Sequence, residues 1–445
     1  MRRAVVWVGV GLLCAAMAHS AETASAEFQD RRERAMKLFP DGILLLHANS
    51  AVSLDAHGFQ QNPAFFYLTG LPDAVGAILA IDGVKHETWL FVPGEQGPLW
   101  PPPRALLAPG PATAAQLKID HVVSWNDFAP FIDRRLAESV APILYWCEEP
   151  WMSAPNLPSN VTVDNDAQFF WRYAIGHRWP NATMRSAAEL LDAERVKKTA
   201  YEIPVMRRTA KASAQALLAG MRGVRPGHSQ REVEAEVVHE CIRAGGEGPA
   251  FWPWVMSGPN SAFPAPMGSF ADYHHLDRVM KPGELVRVDV GCDLEHYQGD
   301  VGRTVPVSGH FGPGQREVWN VFVAAYQAGL RAFHDGVRKT DVYAAWRQEV
   351  ERQRENVKTD VGKRAVEAML IKDGTPFWQI HAVGLDTTDT PQVLRAGMTV
   401  AFEPMVTVDG VGYYLEDMIL ITTNGHEVLT DNLPYSADEI ERAMR

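Results

Sequence analysis

The sequence predicts an α+β C-terminal domain preceded by a smaller α/β N-terminal domain. Two patterns carry that expectation. From Glu27 to Trp179 short apolar runs alternate with turn signals, whereas longer amphipathic stretches interleaved with strands fill the rest. A chain of 445 residues, 46% hydrophobic and 22% charged, is long enough for two such domains. Its 35 glycines and 30 prolines are dispersed, which excludes collagen-like order.

The first residues belong to neither domain. Arg2 and Arg3 precede an uncharged, mostly apolar run, Ala4 to Ala18, and Ala16-Met17-Ala18 has the small-residue pattern of a cleavage site. Residues 1–21 therefore read as a secretory signal peptide, which makes the mature protein secreted or periplasmic. The run is shorter than the ~20 residues that cross a bilayer, so no stable membrane span is expected. Without Cys14, three cysteines remain, Cys147, Cys241 and Cys292; one bridge is possible and a disulfide framework is not. A net charge of −12 repels phosphate backbones and argues against a nucleic-acid partner.

The N-terminal domain is placed at residues 27–180. Ala26–Leu38 reads as a helix, and Gly42–His47, Val75–Ile81 and Thr88–Val92 have strand length and composition. Pro98 to Pro111 reads as a surface loop, and Pro180 to Val196 as the connection between domains.

The C-terminal domain is placed at residues 185–445. Ile203, Met206, Ala210, Ala214, Leu217 and Met221 recur at helical spacing. Ser229 with Glu232 forms a capping box ahead of Val233, Val237 and Cys241, and Gly245-Gly246 ends that helix. Val318, Phe322, Tyr326 and Phe333 define another. Strands are expected over Leu285–Val290, Asp300–Val307, Met398–Val408 and Tyr413–Ile421, giving an antiparallel sheet with helices on one face.

Strand alternation then isolates unusual acids. In Leu285–Val290 the valines at 286, 288 and 290 share one face, and Asp289 lies on the other. Asp300 follows the turn-prone Tyr297-Gln298-Gly299, and Glu403 and Glu416 sit opposite the apolar faces of their own strands. Singly, each acid has a bland explanation, a solvated strand face. Converging, four carboxylates would repel one another and would need a cation or protons. His381 offers an imidazole beside them. An oxygen-rich set with one nitrogen suits Mn²⁺, Fe²⁺, Co²⁺ or Zn²⁺, and two such ions could hold a bridging hydroxide as nucleophile.

The same residues resemble the ligand motifs of the pita-bread metallopeptidases (M24), the family of methionine aminopeptidase, prolidase and aminopeptidase P. The motifs are Pro282–Gly291, Gly299–Thr304, His381–Asp386, Phe402–Pro404 and Leu415–Asp417, in the family's order. Gly58–Gly70 is similar to the aminopeptidase P and prolidase N-domain, so the resemblance covers nearly the whole mature chain. It implies a pita-bread, creatinase/aminopeptidase type of catalytic domain holding two divalent ions, with Mn²⁺ favoured. Asp289 would chelate one ion, Asp300 and Glu416 would bridge, and His381 and Glu403 would complete the other. Glu403 would also act as general base.

Accessory positions depart from the family pattern. A histidine expected ahead of the first aspartate is Asp272, with His274 and His275 nearby as catalytic substitutes. Two further histidines are replaced by Phe377 and Thr388, an arginine by Tyr414 and a threonine by Gly302. Phe377, Thr388 and Tyr414 become candidates for substrate binding. The resemblance thus implies an exported dinuclear aminopeptidase, Xaa-Pro in type, acting on peptide N-termini, with a homodimer possible. Two alternatives stay open: a metal-binding but catalytically weak or silent relative that binds peptides or partners, and a C–N hydrolase with a non-peptide substrate.

Overall fold

The computed structural model describes residues 24–49, 60–93, 107–138, 140–147, 167–262, 276–371, 380–386, 388–389 and 391–445. The signal-peptide region and residues 98–106 of the proline-rich segment lie outside the described residues. Two units divide between Arg195 and Val196.

In the first unit, helix α1 (24–38) leads into strand β1 (Gly42–His47). There follow α2 (Pro63–Thr69), β2 (Ile78–Asp82), β3 (Glu87–Val92), α3 (Pro111–Leu117), β4 (His121–Ser124) and α4 (Phe128–Leu136). β5 (Ile143–Trp146), α5 (Ala167–Arg178), β6 (Met184–Ser186) and α6 (Ala188–Arg195) complete it. The six-stranded sheet has the order β4-β3-β2-β1-β5-β6. β2 is antiparallel to both neighbours, whereas β1–β5, β3–β4 and β5–β6 are parallel. Ile43, Leu45, Ile78, Ala80, Phe91 and Leu144 bury their side chains against Phe128, Phe131 and Ile132 of α4. The expected strand at Val75 begins three residues later because Gly76 adopts a left-handed φ of 67° in the preceding turn. The segment read as a connection instead carries β6 and α6.

The second unit opens with α7 (Glu202–Gly223) and α8 (Gln230–Arg243). The capping box is made: Ser229 N–H donates to Glu232 Oε2 at 2.6 Å, and Glu232 N–H donates to Ser229 Oγ at 3.2 Å. Strands β7 (Gly248–Pro249), β8 (Trp254–Ser257), β9 (Leu285–Val290), β10 (Cys292–Leu294), β11 (Tyr297–Gln298) and β12 (Val301–Pro306) follow. Then come α9 (Pro313–Arg331), α10 (Lys339–Gln353), α11 (Asp360–Leu370), β13 (Ile380–Ala382) and β14 (Thr388–Asp389). β15 (Thr399–Phe402), β16 (Met405–Val408), β17 (Val411–Thr422), β18 (Gly425–Val428) and α12 (Ala437–Ala443) end the chain.

The large sheet runs β14-β13-β15-β17-β12-β9-β8, with β16 and β18 also on β17, and its pairs are antiparallel. One face is apolar. Val286, Val288 and Val290, with Val301, Val305, Val400, Phe402, Leu415 and Ile419, share a core with residues of α7, α8 and α9. Two details differ from expectation. The strand foreseen over Met398–Val408 splits at Glu403-Pro404, because proline has no N–H for the ladder. The turn before Asp300 is at Glu295-His296, both at positive φ (54° and 67°), as a two-residue hairpin loop between right-twisted strands requires.

Candidate metal centre

Strand parity puts the acids on the face opposite the helices. Asp289 alternates with the core valines of β9, and Glu416 follows core Leu415 on β17. His381 lies between core residues Ile380 and Ala382 on β13, and Glu403 follows core Phe402. Register brings these strands into one row: Trp254 pairs with Asp289, Asp289 with Gly302, and Gly302 with Glu416. Asp300 enters just ahead of β12, on the parity of Gly302. That return is tight, since a Cβ on Gly291 would lie 1.8 Å from the Gly299 carbonyl oxygen.

His381 is the hub. Its Nε2 lies 3.2 Å from Glu403 Oε1, 3.7 Å from Asp300 Oδ2 and 3.9 Å from Glu416 Oε1. Its Nδ1 is 3.1 Å from the Ala382 carbonyl; donation there leaves Nε2 as the ligand-capable nitrogen. Burial alone would lower the imidazole pKa, but the hydrogen bond to Glu403 and the charges of Glu403 and Asp300 carry it up to about 9. The Tyr414 hydroxyl is 2.7 Å from Glu416 Oε2 and 3.1 Å from Glu403 Oε2, with a single proton to give.

The carboxylates are uncomfortable without a cation. Burial first, then the charges of Asp289 and Glu403, push Asp300 well above the usual carboxylate range. Burial, then Asp300 and Glu403, does the same to Glu416. Burial also raises Asp289; Arg287 pulls it down and Glu403 pushes it up. Glu416 Oε1 is buried with no hydrogen-bond partner among the described residues. Its neighbour Asp417, on the helix-covered face, shows what a structural buried acid looks like. It accepts from Arg303, Tyr326, Thr430 and Tyr435 at 2.7–2.9 Å. Ligand atoms of Asp300, His381 and Glu416 all lie within 4.8 Å of one another, so the donor set fits a divalent ion. Glu403 and Asp289 border that trio through His381 and the shared sheet row.

The accessory positions are only partly visible. His274, His275 and Phe377 lie outside the described residues; Thr388 is on β14, its backbone paired with Ala382. Tyr414 is 1% exposed, and its phenol is engaged by the two glutamates. Its ring also explains Gly302: a Cβ there would sit 2.2 Å from a Tyr414 ring carbon. The two departures from the family pattern therefore form one rearrangement.

Three features escaped the sequence reading. Arg287, on the Asp289 face, has its guanidinium carbon 5.3 Å from the Trp254 ring and 5.3 Å from the Tyr414 ring. A parity count would have placed it there. The Arg303–Asp417 ion pair, at 2.9 Å, buttresses the far side of β12 and β17. Cys241 and Cys292 form a disulfide from α8 to β10, one of the pairings that spacing left open.

Known proteins show the same organisation. Residues 204–423 match the model of metallopeptidase family M24, and residues 28–145 that of the aminopeptidase P N-terminal domain. The Xaa-Pro aminopeptidase of Escherichia coli is 26% identical over 456 residues, spanning 95% of this chain and 98% of that protein. The structure of E. coli aminopeptidase P with the inhibitor Pro-Leu superposes with a TM-score of 0.73 at 25% identity, covering 94% of this chain and 98% of that one. Pseudomonas aeruginosa aminopeptidase PepP gives the same figures, 0.73 and 25%, over the same shares, 94% and 98%. With these domains in this order, the chain belongs to metallopeptidase family M24, in its aminopeptidase P/prolidase-like branch.

Proposed function

We propose that the protein is an exported, dinuclear Xaa-Pro aminopeptidase that uses Asp289, Asp300, His381, Glu403 and Glu416 to hold two divalent ions, Mn²⁺ foremost. The relatives support the coarser statement directly: a metal-dependent aminopeptidase of Xaa-Pro type. One observation carries the ligand assignment. Glu416 Oε1 is buried and orphaned beside His381 Nε2, on a face where four carboxylates gather. Bound there, divalent ions would supply Lewis acidity toward the scissile carbonyl and a nucleophilic water at neutral pH.

The chain's own groups do the rest. The acidic cluster attracts a peptide's N-terminal ammonium, which selects chain ends over internal bonds. Glu403 is the more accessible of the two glutamates, its side chain 16% exposed against 0% for Glu416. It accepts a proton from the attacking water as the water oxygen bonds to the carbonyl carbon. It then delivers that proton to the departing nitrogen as the C–N bond breaks. His381 Nε2 and the Tyr414 hydroxyl each stand against one of its oxygens, at 3.2 and 3.1 Å.

The test uses mature protein with Mn²⁺ or Co²⁺, a panel of Xaa-Pro and other peptides, and Glu403→Ala. Cleavage of the first bond ahead of proline, reduced on the order of 10²-fold or more in the variant, is expected. Two equivalents of bound metal with no peptide cut would defeat the peptidase reading and favour a silent binder.

Export rests on the leader-like residues 1–21 and draws support from the Cys241–Cys292 disulfide, a bond suited to oxidising compartments. Cell fractionation with N-terminal sequencing checks it. Uncleaved protein in the cytoplasm would reject it.

A further inference from the structure

Two arginines on the paired strands β9 and β12 are buried alike and served very differently. Arg303 is 0% exposed and Arg287 2%. Arg303 donates to Pro434 O, Gly302 O, Glu416 O and Asp417 Oδ1 at 2.6–2.9 Å, using Nε and both terminal nitrogens. Among the described residues Arg287 has one weak acceptor, Met405 Sδ at 3.2 Å from Nη1, while its Nε and Nη2 are buried without a hydrogen-bond partner. A guanidinium keeps its charge and five donors in a planar fork. Leaving two such donors without an acceptor from the protein is costly.

The position of the head group says what could fill them. Arg287 shares the face of β9 with Asp289, two residues away, and pairs across to Thr304. Thr304 Oγ1 accepts from the Tyr414 backbone N–H at 2.8 Å, so Arg287 and Tyr414 flank the same point of β12. The guanidinium carbon lies 5.3 Å from the Tyr414 ring, whose hydroxyl touches Glu403 and Glu416, and 5.3 Å from the Trp254 ring. Arg287 therefore stands one residue row from the acidic cluster, beside the tyrosine that the cluster engages. A countercharge to that cluster would need only proximity; it does not explain donors left without acceptors.

We propose that Arg287 recognises a carboxylate of the bound peptide. This deepens the aminopeptidase reading and rests on it. Nε and Nη2 lie on one edge of the fork, the edge that pairs with the two oxygens of a planar carboxylate. The acids next to it disfavour a more highly charged anion. A peptide can bring the carboxylate in two ways: as the side chain of an acidic first residue, or as the C-terminus of a dipeptide. In either case the ammonium goes to the acids and the carboxylate to Arg287, a charge pairing that would orient the substrate.

Two matched pairs separate the sources in the metal-loaded protein: Asp-Pro-Ala-amide against Asn-Pro-Ala-amide, and Ala-Pro against Ala-Pro-amide. The charged member of at least one pair should show a KM lower on the order of tenfold, with kcat little changed. Arg287→Leu should erase that preference while still cutting the neutral peptides, and Arg287→Lys should keep part of it. Equal KM within both pairs, or a preference that survives in Arg287→Leu, overturns the proposal. The wild-type comparison stands even if a variant fails to fold. If no peptide is cut, the aminopeptidase reading fails by itself, and calorimetric binding of the same four peptides decides the inference. Affinity that depends on the carboxylate and on Arg287 supports it; affinity blind to the carboxylate overturns it.

Discussion

At the scale of single residues, the Tyr414 ring fills the space that a side chain at position 302 would need. The geometry makes the two residues energetically dependent. Gly302→Ala should cost about 1–3 kcal/mol, because the new methyl meets a packed ring with little freedom to move. In a Tyr414→Val background the same change should cost clearly less, a coupling that a double-mutant cycle of denaturant melts would measure. Additive costs would mean the ring moves aside freely. The hydroxyl is a separable matter. Tyr414→Phe keeps the ring but removes the hydroxyl that Glu416 and Glu403 share, and should weaken Mn²⁺ binding roughly 10–100-fold without unfolding the chain. Unchanged affinity in a calorimetric titration would remove Tyr414 from the support of the centre. Tyr414 was legible as a strand-face neighbour of Glu416, but its partnership with Gly302 was not. That partnership depends on a ring lying across a neighbouring strand. Arg287 stayed hidden for a related reason: its ring partners arrive from β8 and β17, remote in sequence.

At the scale of elements, the Cys241–Cys292 bridge ties α8 to the strand that follows Asp289, across a sequence separation of 51. Closing a loop of that length constrains the unfolded chain, so Cys241→Ala with Cys292→Ala should lower stability by about 2–4 kcal/mol. Thermal melts with and without reductant test this; no change on reduction would show the bond to be dispensable. Helix α8 also carries Glu234, which burial raises to about 7 although Trp252 Nε1 donates to it at 2.9 Å. A carboxyl with a raised folded pKa favours the fold below its unfolded value, and that contribution is lost as pH climbs through about 7. Glu234→Gln should therefore melt with the wild type near pH 4 and above it at pH 8. The reverse order would place the charged form of Glu234 in a favourable setting.

Legibility followed how local each element's determinants are. β1 and β9 matched their expected bounds because continuous apolar runs of strand length are self-declaring. α8 matched because its cap, face and terminator all lie within the segment. His121–Ser124 and Met184–Ser186 carry no such pattern; they are strands because parallel neighbours already in the sheet accept them. The candidate acids stood out for the opposite reason: Asp289 and Glu416 interrupt the apolar pattern of their strands, Asp300 and Glu403 stand beside strand ends, and His381 gained weight only from that context.

At the scale of the whole molecule, the two units have separate hydrophobic cores, and every candidate metal ligand comes from the second. Metal should therefore act on the stability of the second unit. In metal-free protein Asp300 and Glu416 titrate well above ordinary carboxyls and His381 at about 9. All three are groups whose folded pKa is raised. Their contribution to stability is intact below the unfolded values, about 4 for the acids and 6.5 for the imidazole, and fades as pH rises through the folded ones. The second unit without metal should thus soften from pH 5 to pH 8. Bound Mn²⁺ should reverse the trend, because the ligands must be deprotonated to hold it and binding adds RT ln(1 + [L]/Kd) to the fold. Scanning calorimetry with chelator and with Mn²⁺ at both pH values reads this directly. The transition of the second unit should be lifted by Mn²⁺ more strongly at pH 8 than at pH 5. A metal-induced shift that is equal at both pH values would mean the ligands carry no excess protons in the empty site. The cluster would then be held apart by something other than the repulsion argued for Asp300 and Glu416.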